Sequence, residues 1–397
     1  MILAVLALSL MAAACGDSDD DADPPADDAT TETEAPAEDD ATTETEAPDD
    51  TEAPDETAAS DASVAIDADR CALNEAAGTM TYISSFDFAA AASILDVIVA
   101  DAEGFFSEVC LDVEIVPGFA PSNGALVAEG QGQMSSAGSF AELVANNVNG
   151  GADLVAVAQY GKTAIEALVL PADGPVDGAD LGATLPGTTM GIKGDIPYSL
   201  QATLGILGVE RGAFDELLLD GFDPVAHLDL GIDALPVYKS NEPGQLDAQG
   251  VGYQLIDPLD FDVPASFGVF FTSEGFLAEH PTAVQDFVRA AFRGFEFSVD
   301  DPETAVNHAF ELIDAAGNPN FFSTEGEGFR WITESGIVAE TTPAGEGVGL
   351  LAPDRLGAEI ELLTDVGVFE SVPDWESMLD ASIAAELYDG DTLAWPS

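Results

Sequence analysis

The sequence is poor in positive charge. Its 397 residues carry 9 Lys or Arg and 3 His against 75 Asp or Glu, a formal net charge of −66. Phosphate recognition needs clustered Lys and Arg, and nine bases scattered from Arg70 to Arg355 make no patch, so nucleic-acid binding is excluded. The same deficit excludes electrostatic attachment to an anionic lipid surface. Histidine is as sparse: His227, His280 and His308 lie far apart, with no Cys, Asp or Ser at metal or triad spacing. No G-x-x-x-x-G-K-[ST] loop occurs, and GEGVG at 345–349 lacks the sixth-position Gly of a dinucleotide site. The chain therefore offers no cofactor-binding signature.

Long apolar runs are missing too. MILAVLALSLMAAA at 1–14 falls short of the roughly 20 apolar residues of a spanning helix and reads as a signal peptide ending in small residues before Cys15. The segment 15–69 follows, with 22 acids and no base within 16–69 and ATTETEAP repeated at 29–36 and 41–48. Such a stretch buries little apolar area and extends by self-repulsion, as a disordered tether does. The remaining residues still hold 53 acids against 9 bases, a charge suited to a hydrated surface in salt. Two further cysteines, Cys71 and Cys110, form an even pair that reads as a disulfide in an exported chain; a two-Cys metal site is the alternative, though no His lies nearby.

From Gly78 onward, short apolar runs alternate with helical periods. Strands are expected at 80–84, 111–118, 133–138 and 154–161, with helices at 89–106, 123–131 and 139–150, which is a βαβαβαβ order and a mainly parallel sheet. A second βα run starts after the Pro/Gly/Asp-rich stretch 171–187, with strands in TMGIKG, VAHLDLG, ALPVYKS, YQLIDP and SFGVFFTS and a helix in PYSLQATLGILG. Helices then follow at 275–298, 302–314, 320–339, 353–366 and 374–388. This order implies a first lobe over 76–172 plus 264–397, a second lobe over 173–263, and a ligand cleft between them.

Several stretches resemble a known family. GFFSEVCLDVEIVPG at 104–118, DLGATLPGTTMGIKG at 180–194, VYKSNEP at 237–243 and the helix around 271–306 are similar, in the same order, to ABC-importer substrate-binding proteins for sulfonates, nitrate and thiamine-pyrimidine precursors. The resemblance implies an α/β periplasmic-binding-protein type II fold with two lobes, acting as a monomer without a cofactor. It implies delivery of a small-molecule solute, of the pyrimidine-precursor kind or of the sulfonate, nitrate or taurine kind, to a membrane permease and its ATPase. AAAC-G resembles a lipobox, which would make Cys15 a lipidated residue on the outer face of the cytoplasmic membrane. A eukaryotic relative of the fold is a thiamine-pyrimidine synthase, but its Cys-rich iron motif is absent here and Lys162 alone lies near the expected cleft, so the chain reads as a binder and not an enzyme.

Candidate ligand residues follow from the strand ends. Ser85, Phe86 and Asp87 succeed the first strand; Phe86 suits stacking on a flat ring, and Asp87 suits either an exocyclic amine or the cap of the next helix. Ser139 starts a helix, Tyr160 ends a strand and Tyr198 opens a second-lobe helix, where either contact or packing fits the tyrosines. Tyr238, Asn241 and Glu242 sit past a strand near the expected hinge, with Glu242 pairing either ligand N–H groups or Lys239. Asp257 in LIDPLD suits contact or a turn.

Overall fold

The computed structural model describes residues 66–318 and 323–395. Cys15, the 1–14 segment and most of the 15–69 stretch lie outside the described residues. Its last residues are helical: Asp67 caps Ala68–Glu75 by accepting from Asp69 and Arg70 amides, inside the stretch expected to be tether. Among the described residues no helix is long and apolar enough to cross a membrane.

The first sheet has the order β2-β1-β3-β10-β4, built from β1 (Thr79–Ile83), β2 (Asp112–Val116), β3 (Met134–Ala137), β4 (Leu154–Gly161) and β10 (Phe267–Ser273). β1 runs parallel to β2 and β3, whereas β10 is antiparallel to both β3 and β4. The parallel expectation therefore holds for four strands, and the returning strand inserts between two of them in the opposite sense. β4 is buried along its whole length, which is why LVAVAQYG reads as an unbroken apolar run. The long helix Pro281–Asp300 packs on Leu95–Ala102 so closely that a Cβ at Gly294 would lie 2.1 Å from the Asp96 carbonyl oxygen.

The second set of strands comprises β5 (Glu166–Pro171), β6 (Thr189–Ile192), β7 (Asp215–Leu218), β8 (Leu235–Tyr238) and β9 (Tyr253–Ile256). They form the antiparallel group β8-β5-β9 and the parallel pair β6-β7, linked by a bridge between Met190 and Ala234. β5 pairs only with β8 and β9, so it belongs here and not within the 76–172 unit where the sequence boundary put it. The chain crosses between the two sheets at residues 162–165, directly after β4.

Three local expectations are corrected. VAHLDLG is not a strand: Asp223 caps the helix Pro224–Asp229, and Pro224 takes its first position. The helix expected from residue 89 begins at Leu95, because the amides of Ala90 and Ala92 are taken by the side chains of Glu327 and Glu334 and Ser93 adopts a left-handed conformation. The stretch 374–388 holds only the short turns Trp375–Met378 and Ser382–Ala385.

Cys71 and Cys110 are joined by a disulfide that ties the first helix to the start of β2. The same helix is anchored by Arg70, whose guanidinium bonds the fully buried Asp286, a carboxylate also held by Arg289 and Asn74. Two guanidinium groups and an amide satisfy that carboxylate, so its burial carries little penalty.

Candidate crevice at the strand ends

Glu166 opens β5 directly opposite Tyr238, the last residue of β8, at the strand ends where the sequence order puts the crevice. Tyr238 keeps 42 % of its surface accessible, yet its hydroxyl is pushed well above the usual tyrosine range, first by lost hydration and then by Glu166, Glu142, Glu242 and Glu334 around it. Four carboxylates from four separate elements thus act electrostatically on one phenol.

The local sequence explains each carboxylate. Ser139 caps the helix Phe140–Gly150 by accepting from the Glu142 amide at 3.2 Å, and Glu142 accepts in return from the Gly138 amide at 2.9 Å. This is the S-x-x-E capping pattern, readable in Ser139–Glu142 but not singled out from the sequence. Lost hydration raises the Glu142 carboxyl to about 7, with the Gly138 bond opposing and Glu166 adding to the rise. Glu166 is 6 % exposed, accepts from the Ser199 hydroxyl at 3.0 Å, and is likewise raised by desolvation. Neither Glu142 nor Glu166 has a Lys or Arg within ion-pair distance among the described residues. Tyr198, half-buried and stacked on Phe369 at 6.3 Å, adds a second hydroxyl raised by desolvation and by Glu142.

An aromatic wall borders this acid group. Phe86 is half-buried, lies 6.4 Å from the Phe119 ring and meets Phe222 edge-on at 5.7 Å. Its backbone bridges to Phe119, and the Ser85 carbonyl and Asp87 amide bond Ala120 and Gly118, so the 85–87 segment is pinned against 118–120, with Asp87 in a left-handed conformation. Asp87 is not the cap of the following helix, which starts eight residues later.

Asn241 accepts from the Arg330 Nε at 2.7 Å. Glu242 is 2 % exposed; it pairs with Lys193 and accepts from the Tyr238 amide at 2.9 Å, so its two oxygens are both engaged within the protein. Lys239, expected as the alternative partner of Glu242, pairs instead with Asp257 at 2.7 Å. Asp257 also accepts from the Leu259 amide as a turn cap, which leaves it a structural role. Tyr160 is corrected outright: it is fully buried, stacks on Phe295 at 5.0 Å and donates to Asp96 at 2.5 Å, because its side chain points to the helix-covered face of the sheet.

The helix Thr324–Thr341 contributes a set that sequence reading missed. Glu327, Arg330 and Glu334 share one face and are all buried. Glu327 accepts from the Ala90 amide and binds Arg330; Glu334 accepts from the Ala92 amide and the Ser240 hydroxyl, each at 2.7 Å. Among the described residues no group of three or more His, Cys, Asp or Glu is placed to hold a metal.

The fold and this crevice define an α/β protein of the periplasmic-binding type II class. It aligns with the aliphatic sulphonate binding protein SsuA of Escherichia coli at a TM-score of 0.56 and 12 % identity, covering 80 % of this chain and 96 % of that one. Residues 91–305 match the family described as NMT1/THI5 like, and the chain belongs to that family. It is 31 % identical over 137 residues to the riboflavin-binding protein RibY of Chloroflexus aurantiacus, covering 33 % of this chain and 38 % of that protein. It is 27 % identical over 241 residues to a formylaminopyrimidine-binding protein of Halalkalibacterium halodurans, covering 59 % of this chain and 72 % of that protein.

Proposed function

We propose that this chain is an extracytoplasmic solute-binding protein that delivers a flat, N–H-bearing heteroaromatic, of the pyrimidine or flavin kind, to the membrane permease and ATPase of an ABC importer. The observation that carries the reading is the carboxylate pair Glu142 and Glu166, desolvated near Tyr238 and in no ion pair among the described residues, with Lys239 acting on Glu166 only from beyond ion-pair distance while it is bound to Asp257. Such a pair calls for N–H donors from the solute, since each unpaired carboxylate in a dehydrated crevice is costly. Sulfonate or nitrate needs the opposite. Of the cations around these residues, Lys193, Arg330 and Lys239 are already bound to Glu242, Glu327 and Asp257. The names of the two relatives support the same class of solute. Ser85, Phe86, Asp87, Tyr198, Tyr238 and Asn241 stand as crevice residues in this reading.

Closure of two lobes joined at 162–165 and near 264 would desolvate the contact, with no bond broken in the solute. Lipidation of Cys15 and an acidic tether would hold the monomeric domain at the outer face of the membrane. Thermal-shift screening of the purified chain against aminopyrimidines, riboflavin, taurine and nitrate tests the reading. Stabilisation by a neutral heteroaromatic is expected; stabilisation by taurine or nitrate alone would overturn it.

A further inference from the structure

Phe222 was not among the residues that the sequence pointed to. It lies on the short connection between β7 and the helix Pro224–Asp229, just after Gly221, whose φ of 77° lets the chain turn sharply. Its ring is half-buried and meets Phe86 edge-on at 5.7 Å with an interplanar angle of 81°. The two rings come from opposite sheets, Phe86 from the end of β1 and Phe222 from the end of β7. Any change in the distance between the sheets must change their separation.

Each ring carries a cation on its flank. The Arg330 guanidinium lies 6.0 Å from the Phe86 centroid and the Lys193 ammonium 5.5 Å from the Phe222 centroid. Each cation is held in turn by a buried carboxylate, Glu327 for Arg330 and Glu242 for Lys193. Glu242 also receives the Tyr238 amide, which links the Phe222 side to the centre of the acid group.

We propose that Phe222 is a ligand-stacking residue, the second jaw of an aromatic clamp whose first jaw is Phe86, and that the clamp takes an uncharged planar heteroaromatic ring. The inference rests on the solute-binding reading above. An edge-on pair buries only part of each ring face, so a flat ring seated against both replaces one limited contact by two extensive ones. Phe86 is fixed by its backbone bridge to Phe119 and by Arg330, whereas Phe222 rides on a glycine-preceded turn and adapts to the thickness of what enters. The carboxylates near Tyr238 then read the N–H edge of the ring while the phenylalanines hold its faces. Shape and hydrogen bonding are thereby divided between the two sheets.

The test uses the full chain with riboflavin and 4-amino-5-hydroxymethyl-2-methylpyrimidine as probes, titrated by calorimetry. Against the probe that wild type binds, Phe222→Ala is expected to weaken affinity by about ten-fold or more, since a stacked ring commonly contributes that much. Phe222→Leu keeps apolar bulk without a π-face and falls between the two. Phe222→Trp keeps affinity, and its indole quenches the emission of bound riboflavin by contact. Affinity of Phe222→Ala within about two-fold of wild type overturns the clamp and leaves the solute-binding reading standing. Full riboflavin emission in the bound Phe222→Trp variant overturns the stacking in the same way. Failure of wild type to bind either probe overturns both.

Discussion

Ser240 donates its hydroxyl to Glu334 at 2.7 Å, and through that bond the turn after β8 is fastened to the helix Thr324–Thr341. The other Glu334 oxygen holds the Ala92 amide in the stretch that follows Phe86 and Asp87. One carboxylate therefore sets the distance between two walls of the crevice. Glu327 and Arg330 repeat the arrangement one turn earlier, from Ala90 to Asn241. Ser240→Ala removes one neutral–charged bond and should weaken solute affinity by several-fold, an effect of about 1–2 kcal/mol. Calorimetry beside a melting curve checks it: a large loss of melting temperature with unchanged affinity would assign the bond to general stability instead.

Glu142→Gln should move binding and stability in opposite directions. The amide oxygen keeps the Gly138 bond, and removing a desolvated carboxylate raised to about 7 relieves its repulsion with Glu166. Stability should rise by about 1 kcal/mol, whereas affinity for an N–H-bearing solute should fall roughly ten-fold. Parallel losses of both quantities would show that Glu142 serves the fold alone.

Acidification should stabilise the protein. Glu142, Asp96 and Glu334 are raised to about 7 and Glu359 to about 8, in each case chiefly by desolvation. Their folded values exceed the unfolded ones near 4, so the folded chain holds protons that the unfolded chain has released. The stability this gives is complete at low pH and is lost as pH climbs through about 7 to 8. Melting temperature should drop by at least about 5 °C between pH 5 and pH 8, measured at high salt so that surface repulsion is screened. A flat or rising profile would mean that these carboxylates are ionised in the folded chain at modest cost.

Tyr160→Phe and Tyr238→Phe should separate core from crevice. Tyr160 donates to buried Asp96, whose other oxygen has no partner among the described residues, so its loss should cost about 1–3 kcal/mol of stability with affinity unchanged. Tyr238→Phe should leave the melting curve almost in place and weaken the solute. Chemical denaturation and titration of both variants decide it; a reversal would return Tyr160 to the site.

How much of this was legible in the sequence depends on the range of the interaction. The strands of the first sheet, the helix Pro281–Asp300 and the cysteine pair were readable because periodicity and composition act over a few residues. The places of Phe86 and Tyr238 at strand ends were readable in the same way. β5 was not separated from the first lobe, since EALVLP follows β4 after four residues and nothing local states which sheet it joins.

By itself, then, the sequence determined the α/β order, the acidic character and the resemblance to a solute-binding family, all of which rest on local pattern. The tertiary structure alone decided which charges are neutralised and which face the crevice. Lys193 meets Glu242 from 49 residues away, Ser240 meets Glu334 from 94, and Phe86 meets Phe222 from the other sheet. In sequence Glu242 and Glu142 are equivalent acids. Folding gives one of them a lysine and leaves the other with desolvation and a neighbouring carboxylate, because burial and partner distance are set by packing between elements that no short window contains.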